Sequence, residues 1–280
     1  MGKALTEHQL GEYQERGFLF PLPVLSEPET ATLRRSLEEL EAREGGRLPA
    51  NLNRKPHLLL TRLNELIRDP RILDPVEDIL GLNILCWGSG FFIKNAHDPA
   101  RVTWHQDSTY WGLSKPDVVT AWIAFTPSTH ANGCMRVVPG THTLQQLPHH
   151  DTFAPDNLLS RGQEIAVAVD ESKAVDVELA PGQMSLHHVL LVHGSEPNGS
   201  TLRRIGFAIR YLPTYVKQVA SSADSATLVR GSDDYGYFLH EPVPRSDFHP
   251  DALAFHSQML TANDQILYRG VKSRSNDRAQ

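Results

Sequence analysis

Apolar and polar residues follow two different rhythms along this chain, and the change falls near residue 84. Before it, apolar positions recur at helical spacing. Leu5 to Arg16 reads as a helix, followed by a short strand at Gly17-Phe18-Leu19-Phe20 that Pro21 and Pro23 close. Ser26 caps a second helix running to about Arg43. Glu29, three positions later, completes a capping box, and Gly45-Gly46 stop the helix. A third helical region lies between His57 and Leu80, broken near Pro70 and Pro75.

From about residue 84, short β-type runs follow one another between turn residues. They are Phe91-Lys94, Val118-Thr126, Met135-Val138, Glu164-Val169, Ala174-Leu179, Met184-His193 and Ile205-Tyr211. Asn132-Gly133, Pro139-Gly140 and Pro181-Gly182 supply turns. Helices first and then seven or more strands predict a mainly β protein with α: a barrel or sandwich wearing an N-terminal helical layer. With no repeat and no low-complexity linker, 1-280 reads as one domain. Its parts are a helical layer at about 1-83, a β core at about 84-215 and an irregular C-terminal extension at 216-280. In that extension Arg230-Gly231 and Asp233-Asp234-Tyr235-Gly236 read as loop. Residues 251 to 270 are expected to hold a last helix, and Ser273 to Gln280 to be disordered.

Composition narrows the class without naming it. The chain has 280 residues, 40% hydrophobic and 21% charged, with a net charge of −6 and a pI near 6.1. No Lys/Arg-rich block stands out, so neither nucleic acid nor an anionic membrane is an expected partner. No apolar run is long enough to span a bilayer. Met1 to Arg16 is polar and reads as neither signal nor transit peptide. Cys86 and Cys134 sit in apolar segments and read as reduced, buried thiols, which points to a cytoplasmic protein.

Candidate chemistry centres on His105-Gln106-Asp107 and on His193. Two imidazoles and one carboxylate are the ligand set of a mononuclear non-haem Fe(II) oxygenase. Such a triad fills one face of an octahedral ion. The open positions can take a bidentate oxo-acid and dioxygen, which suggests 2-oxoglutarate as co-substrate. His105 and Asp107 are i and i+2, so in an extended segment they point to one side. On a strand Met184 to His193, His187 would lie roughly 20 Å from His193, outside the same ligand shell. Ser195 shares the face of His193 if that strand continues.

Arg204 follows within the alternation Arg204-Ile205-Gly206-Phe207-Ala208-Ile209. Its face continues with Gly206, Ala208 and Arg210, small or basic residues that suit a cavity. Ile205, Phe207, Ile209 and Tyr211 form the opposite, apolar face. Arg204 is thus placed for a bidentate pair with a carboxylate, and Ser195 could add a hydroxyl donor. Adjacent Arg203 better suits a surface salt bridge. In Val118 to Thr126, Trp122 stands with Thr120 on a cavity-like face and could wall the oxo-acid pocket, or be an ordinary core residue. Lys94 could neutralise a carboxylate or point to solvent. Arg136 could bind substrate or pair with an acid. His142, His149-His150 and His97 compete weakly as ligands, because none pairs an apolar strand with a following arginine at that spacing.

Trp104-His105-Gln106-Asp107, then Asn132-Gly133-Cys134-Met135-Arg136-Val137-Val138-Pro139-Gly140-Thr141-His142, then His193-Gly194-Ser195 and Arg204, resemble the phytanoyl-CoA dioxygenase family. So does the opening Tyr13-Gln14-Glu15-Arg16-Gly17-Phe18. The resemblance implies a double-stranded β-helix (jelly roll, cupin-like) with Fe(II), 2-oxoglutarate and O2. By motif match, His105, Asp107 and His193 would bind iron, Arg204 and Ser195 would hold the distal carboxylate of 2-oxoglutarate, and Trp122 would touch the co-substrate. Related halogenases replace the carboxylate ligand with Ala or Gly, so Asp107 favours hydroxylation of a small molecule or a related oxidation. The chain ends without a Ser-Lys-Leu-like signal, which argues against a peroxisomal enzyme. Two other readings stand beside this one. One is a cupin-type metalloenzyme, a hydrolase or isomerase using the same triad without 2-oxoglutarate. The other is a catalytically silent jelly-roll binding protein, whose expected sign would be a broken triad.

Overall fold

A computed structural model describes residues 2–269; the expectation for Ser273 to Gln280 lies outside them. The helical layer forms as its capping signals dictate. Helix α1 (Glu7–Arg16) is capped by Thr6 and Gln9 and stops at Gly17, whose φ of 84° suits glycine. Helix α2 (Glu27–Arg43) carries the expected capping box, with the Ser26 amide donating to Glu29 Oε2 at 2.7 Å. Short helix α3 (Thr61–Leu66) and helix α4 (Pro70–Leu80) complete the layer. The chain breaks at Pro70, where Asp69 caps the new helix, but not at Pro75. Pro75 is buried inside α4 beside Ile72, Leu73 and Val76, and their packing offsets its missing backbone bond. Strand β1 (Phe18–Pro23) likewise runs through Pro21 instead of closing there. It is an edge strand with an irregular register between Leu19 and Leu22, where a proline is tolerated.

The remaining strands are β2 (Ile84–Lys94), β3 (Val102–His105), β4 (Val119–Ala124), β5 (Met135–Val137), β6 (His149–Asp151), β7 (Gln163–Ile165), β8 (Val175–Val177), β9 (Gln183–His188), β10 (His193–Ser195), β11 (Arg204–Pro213), β12 (Ser225–Arg230) and β13 (Leu239–His240). A seven-stranded sheet has the order β1-β9-β4-β11-β2-β12-β13, and a four-stranded sheet the order β3-β10-β5-β8. Together they make the mainly β, double-stranded β-helix architecture, with the helices on the outer face of the larger sheet. Strand alternation decides which residues face which layer. Ile205, Phe207, Ile209 and Tyr211 pack with Val119, Ala121, Ile123, Ile67 and Ile72 under the helices. Ala208, Trp122, Ala124, Val137 and Leu191 meet on the inner side. Truncating a residue such as Phe207, which is fully buried, would cost about 3–5 kcal/mol.

Two expectations are corrected. Met184 to His193 is not one strand: the chain turns after His188, so β9 belongs to the larger sheet and β10 to the smaller. The segment after Pro213 is not irregular throughout. Strand β12 adds to β2 antiparallel, with Thr227 opposite Cys86, and α5 (Pro250–Leu267) forms the helix expected near 251 to 270. Strand β12 is short and ends in Arg230-Gly231, so turn residues mask it in the sequence. Beyond β12 the free edge of β2 is covered by the segment before α3. Lys55 N donates to Ser89 O at 3.0 Å, and the Asn53 side chain bonds both backbone groups of Phe91. Among the described residues no helix is long and apolar enough to cross a membrane.

Candidate active site

Strand pairing brings the two histidines together. β10 pairs with β3 so that His193 lies opposite His105, and their ring centroids are 4.1 Å apart. Asp107 opens a single 3-10 turn just past β3, and its amide donates to Val189 O at 3.0 Å. Its Oδ1 then sits 3.3 Å from His105 Nε2 and 3.9 Å from His193 Nε2. One ligand atom from each residue lies within 4.8 Å of the others, a spacing that can hold a metal ion. The outer ring nitrogens are already engaged: His105 Nδ1 donates to Thr103 O at 2.9 Å and His193 Nδ1 to Leu191 O at 2.8 Å. Those bonds fix the tautomer that leaves both Nε2 lone pairs facing one point. Gln106, fully buried behind the triad, donates to Leu190 O at 2.7 Å and Gln145 O at 2.8 Å. It thereby ties the His105 segment to the turn that leads into His193.

Electrostatics suit a cation. Burial pushes the His193 imidazole well below its usual value, so it is a neutral donor. Burial alone would raise the Asp107 carboxyl. The His105 hydrogen bond and the nearby His193 and Arg210 outweigh it and hold the group ionised. Two neutral imidazoles and one carboxylate, all on one side of a shared point, fit Fe(II) with open positions.

Across the same cavity lies Arg204, 2% exposed, on the face that alternation assigns it. Its Nη1 donates to Gly133 O and, at 3.2 Å, to Ser195 Oγ. Gly133 has a φ of 71°, and a Cβ there would lie 2.2 Å from Glu196 O, so only glycine lets this carbonyl reach the arginine. Trp122 lies flat against β11: a Cβ on Gly206 would fall 1.8 Å from the indole. The Arg204 guanidinium stands 5.6 Å over that ring. Lys94 is fully buried, not solvent-facing, and its Nζ donates to Ser195 Oγ and Glu196 O. Burial, helped by the charge of Arg204, pushes its ammonium down to about 7. The cavity thus gathers Arg204, Ser195 and Trp122 with the triad, while Lys94 stands behind Ser195 and does not line it.

Three buried polar atoms of residues lining the cavity have no partner among the described residues: Arg204 Nε, Arg210 Nε and His187 Nδ1. An unpaired buried group costs about 1–3 kcal/mol. Such a concentration is the mark of a site built to receive a polar ligand. His187 corrects the sequence expectation. Because the chain turns after β9, its ring lies 5.0 Å from His193 instead of far along a strand. It lines the cavity without joining the group of three ligand atoms, and burial pushes it down to about 4, so it is neutral. Thr120 and Arg210 also face the cavity. Their parity with Trp122 and Arg204 was the available signal; for His187 there was none without the turn.

Other candidates fall elsewhere. Arg136 meets Glu171, Asp176 and Glu196 at 3.4 Å. Arg203 pairs with Glu41 at 2.6 Å, as its position suggested. His142 holds Gln14 O at 3.1 Å, His149 accepts the Gln106 amide at 3.0 Å, and His97 lies in a loop. Cys86 and Cys134 are buried and unbridged. Phe92, Asp107 and Arg210 also line a second, outer cleft of about 460 Å³. Its far wall includes Asn263, Asp264, Leu267 and Tyr268 from α5 and the residue after it.

Known proteins resemble this chain in sequence and fold. Residues 13–206 match the model of the phytanoyl-CoA dioxygenase family. A probable alpha-ketoglutarate-dependent hypophosphite dioxygenase of Stutzerimonas stutzeri is 31% identical over 158 residues, 56% of this chain and 54% of that protein. The chain spans about half the length of the first such relatives. Among solved structures, the apo non-heme monooxygenase ThoJ superposes with a TM-score of 0.83 at 35% identity, covering 94% of this chain and 99% of that one. CytC3, solved with Fe(II) and alpha-ketoglutarate (2-oxoglutarate), gives a TM-score of 0.62 at 26% identity over 88% of this chain and 99% of its own.

Proposed function

The chain belongs to the phytanoyl-CoA dioxygenase family, and from that premise we propose that it is an Fe(II)- and 2-oxoglutarate-dependent dioxygenase hydroxylating a small organic molecule, with release of succinate and CO2. The observation that carries the reading is a single one. His105, Asp107 and His193 close on one point, and the buried Arg204 stands across the same cavity.

The residues divide the work by chemistry. His105, Asp107 and His193 would hold Fe(II), which supplies oxygen activation when bound together with the oxo-acid. Arg204 offers a planar fork to the distal carboxylate, and Ser195 adds a hydroxyl beside it. Lys94, bonded to Ser195 behind the lining, adds a second cation near that end, and Trp122 walls the pocket. Arg210, in the same cavity as Asp107, is placed to balance the carboxylate nearest the metal. Burial of the whole set excludes water and strengthens each of these charges. No side chain of the cavity is asked to move a proton.

Asp107 supports hydroxylation over halogenation, because it occupies the position a halide would take. The test is O2 consumption and succinate formation that depend on 2-oxoglutarate and rise with substrate. Oxygen-18 from O2 should appear in the hydroxylated product. Turnover that ignores 2-oxoglutarate would instead assign the triad to a hydrolase or isomerase.

A further inference from the structure

One cation of the cavity has no counter-charge, and one buried imidazole near it has no hydrogen bond. Strand register sets His187, Thr120 and Arg210 in one row across β9, β4 and β11, and all three line the cavity. Arg204 stands six residues before Arg210 on β11, roughly 20 Å along the strand. The row is therefore well separated from the arginine that faces the distal carboxylate of 2-oxoglutarate.

Arg210 is held in place without using its hydrogen bonds. Its guanidinium stands 5.9 Å from the centre of the Phe92 ring and 5.5 Å from that of Trp111. Among the described residues no acid pairs with it, and its Nε has no partner. It lines the outer cleft as well as the cavity, so a molecule entering through the cleft meets it next to Asp107. His187 is 2% exposed, and neither ring nitrogen has a hydrogen-bond partner among the described residues. A neutral imidazole offers one donor and one acceptor, and leaving them unpaired in a buried site is costly. Thr120, between the two, is engaged with the triad: its Oγ1 donates to Asp107 Oδ2 at 3.5 Å.

Charge decides what the missing partner carries. The two negative charges of 2-oxoglutarate and the one of Asp107 balance Fe(II) and Arg204. Lys94 lies behind Ser195, with Glu196 and Asp98 as its nearby acids. In the cleft, Arg203 and Arg54 are answered by Glu41 and Asp264. Once iron faces Asp107, Arg210 is the cation left over, and a partly buried charge without a partner is unfavourable.

We propose that the primary substrate carries an oxyanion, a carboxylate or a phosphate, with Arg210 as its counter-ion and His187 as its hydrogen-bond donor. The inference rests on the oxygenase reading above, since the charge balance includes the iron and the oxo-acid. It is tested on protein loaded with Fe(II) and saturating 2-oxoglutarate without oxygen, by calorimetric titration with acetate, with methyl phosphate and, as the neutral control, with acetamide. At least one of the two anions should bind once per chain, and which of them binds more tightly names the head group; acetamide should give no saturable heat. Arg210→Leu and His187→Leu should each weaken that anion roughly tenfold or more. In His187→Leu, Fe(II) and 2-oxoglutarate should bind as in the wild type, and His187→Gln, which keeps a side-chain N–H, should restore part of the anion affinity. The histidine variants decide the matter if Arg210→Leu is unstable. No saturable binding of either anion, equal binding of acetamide, or unchanged anion affinity in His187→Leu or in a folded Arg210→Leu overturns the proposal. Failure of the oxygenase reading would show separately, as no binding of 2-oxoglutarate by the wild type.

Discussion

The inner cavity and the outer cleft share three residues yet are built in opposite ways. The cavity is made of strands: β3 and β10 present the histidines, and β11, β4 and β2 present Arg204, Trp122 and Phe92. Neighbouring ladders hold each of these side chains to a fixed face. The cleft has its floor on β2, but its walls are connections and a helix end: the segment before α3, the loop around Leu158 to Ser160, and the end of α5. Of its walls, α5 lies outside the residues that match the family model. The contrast separates a cavity whose side chains are fixed by strand ladders from a cleft whose walls can vary without disturbing those ladders. Changes in the cavity should abolish turnover or co-substrate binding, whereas changes in the cleft walls should leave Fe(II) and 2-oxoglutarate binding intact.

The sharpest way to break the comparison is to remove a ligand. His193→Ala or Asp107→Ala should lower Fe(II) affinity and turnover by more than about 100-fold, since even partners of metal ligands cost 10–100-fold. Metal titration checks this, and unchanged turnover in His193→Ala would defeat the ligand assignment. A smaller effect is expected at the far end of the cavity. Arg204→Lys keeps the charge but loses the fork, so the KM for 2-oxoglutarate should rise roughly tenfold, about 1.4 kcal/mol. Arg203→Ala is the control: it leaves the buried Glu41 carboxylate without its partner and should cost about 1–3 kcal/mol of stability, without touching co-substrate affinity.

Lys94 predicts a pH dependence. Its ammonium, pushed down to about 7 by burial, is present below that pH and lost above it. A dianionic co-substrate favours the charged form. The Kd for 2-oxoglutarate should therefore climb as pH rises from 7, by up to about tenfold per unit, and binding near pH 8 should take up a proton. Lys94→Met should flatten both, as calorimetry in buffers of different ionisation enthalpy would reveal. The smallest expected effect is none at all. With Asp107 in place, omitting chloride should leave turnover unchanged, and mass spectrometry of product made in chloride buffer should show no chlorinated species.

Legibility in the sequence divides along the same line. The Arg204 and Thr120 faces could be assigned because strand alternation is strict, and both facing sets occur as read. The capping box at Ser26 and Glu29 marked α2 for an equally local reason. What escaped was non-local. No Gly, Pro, Asn or Asp between Met184 and His193 marks a turn, so the one at Val189–Leu190 that brings His187 beside the triad was hidden. Strand β12 escaped because only its pairing with β2 makes Ser225–Arg230 a strand. The cleft escaped entirely, because Trp87, Leu158 and Leu267 are far apart in the chain and no motif links them.

One titration bears most directly on the cavity's role. Fe(II) is added to metal-free protein without oxygen, followed by 2-oxoglutarate, with the heat of each step recorded. One Fe(II) per chain should bind through His105, Asp107 and His193, followed by one 2-oxoglutarate whose affinity falls in Arg204→Lys. Iron binding with no subsequent binding of 2-oxoglutarate would contradict the oxygenase account and leave the triad to another metal-dependent reaction.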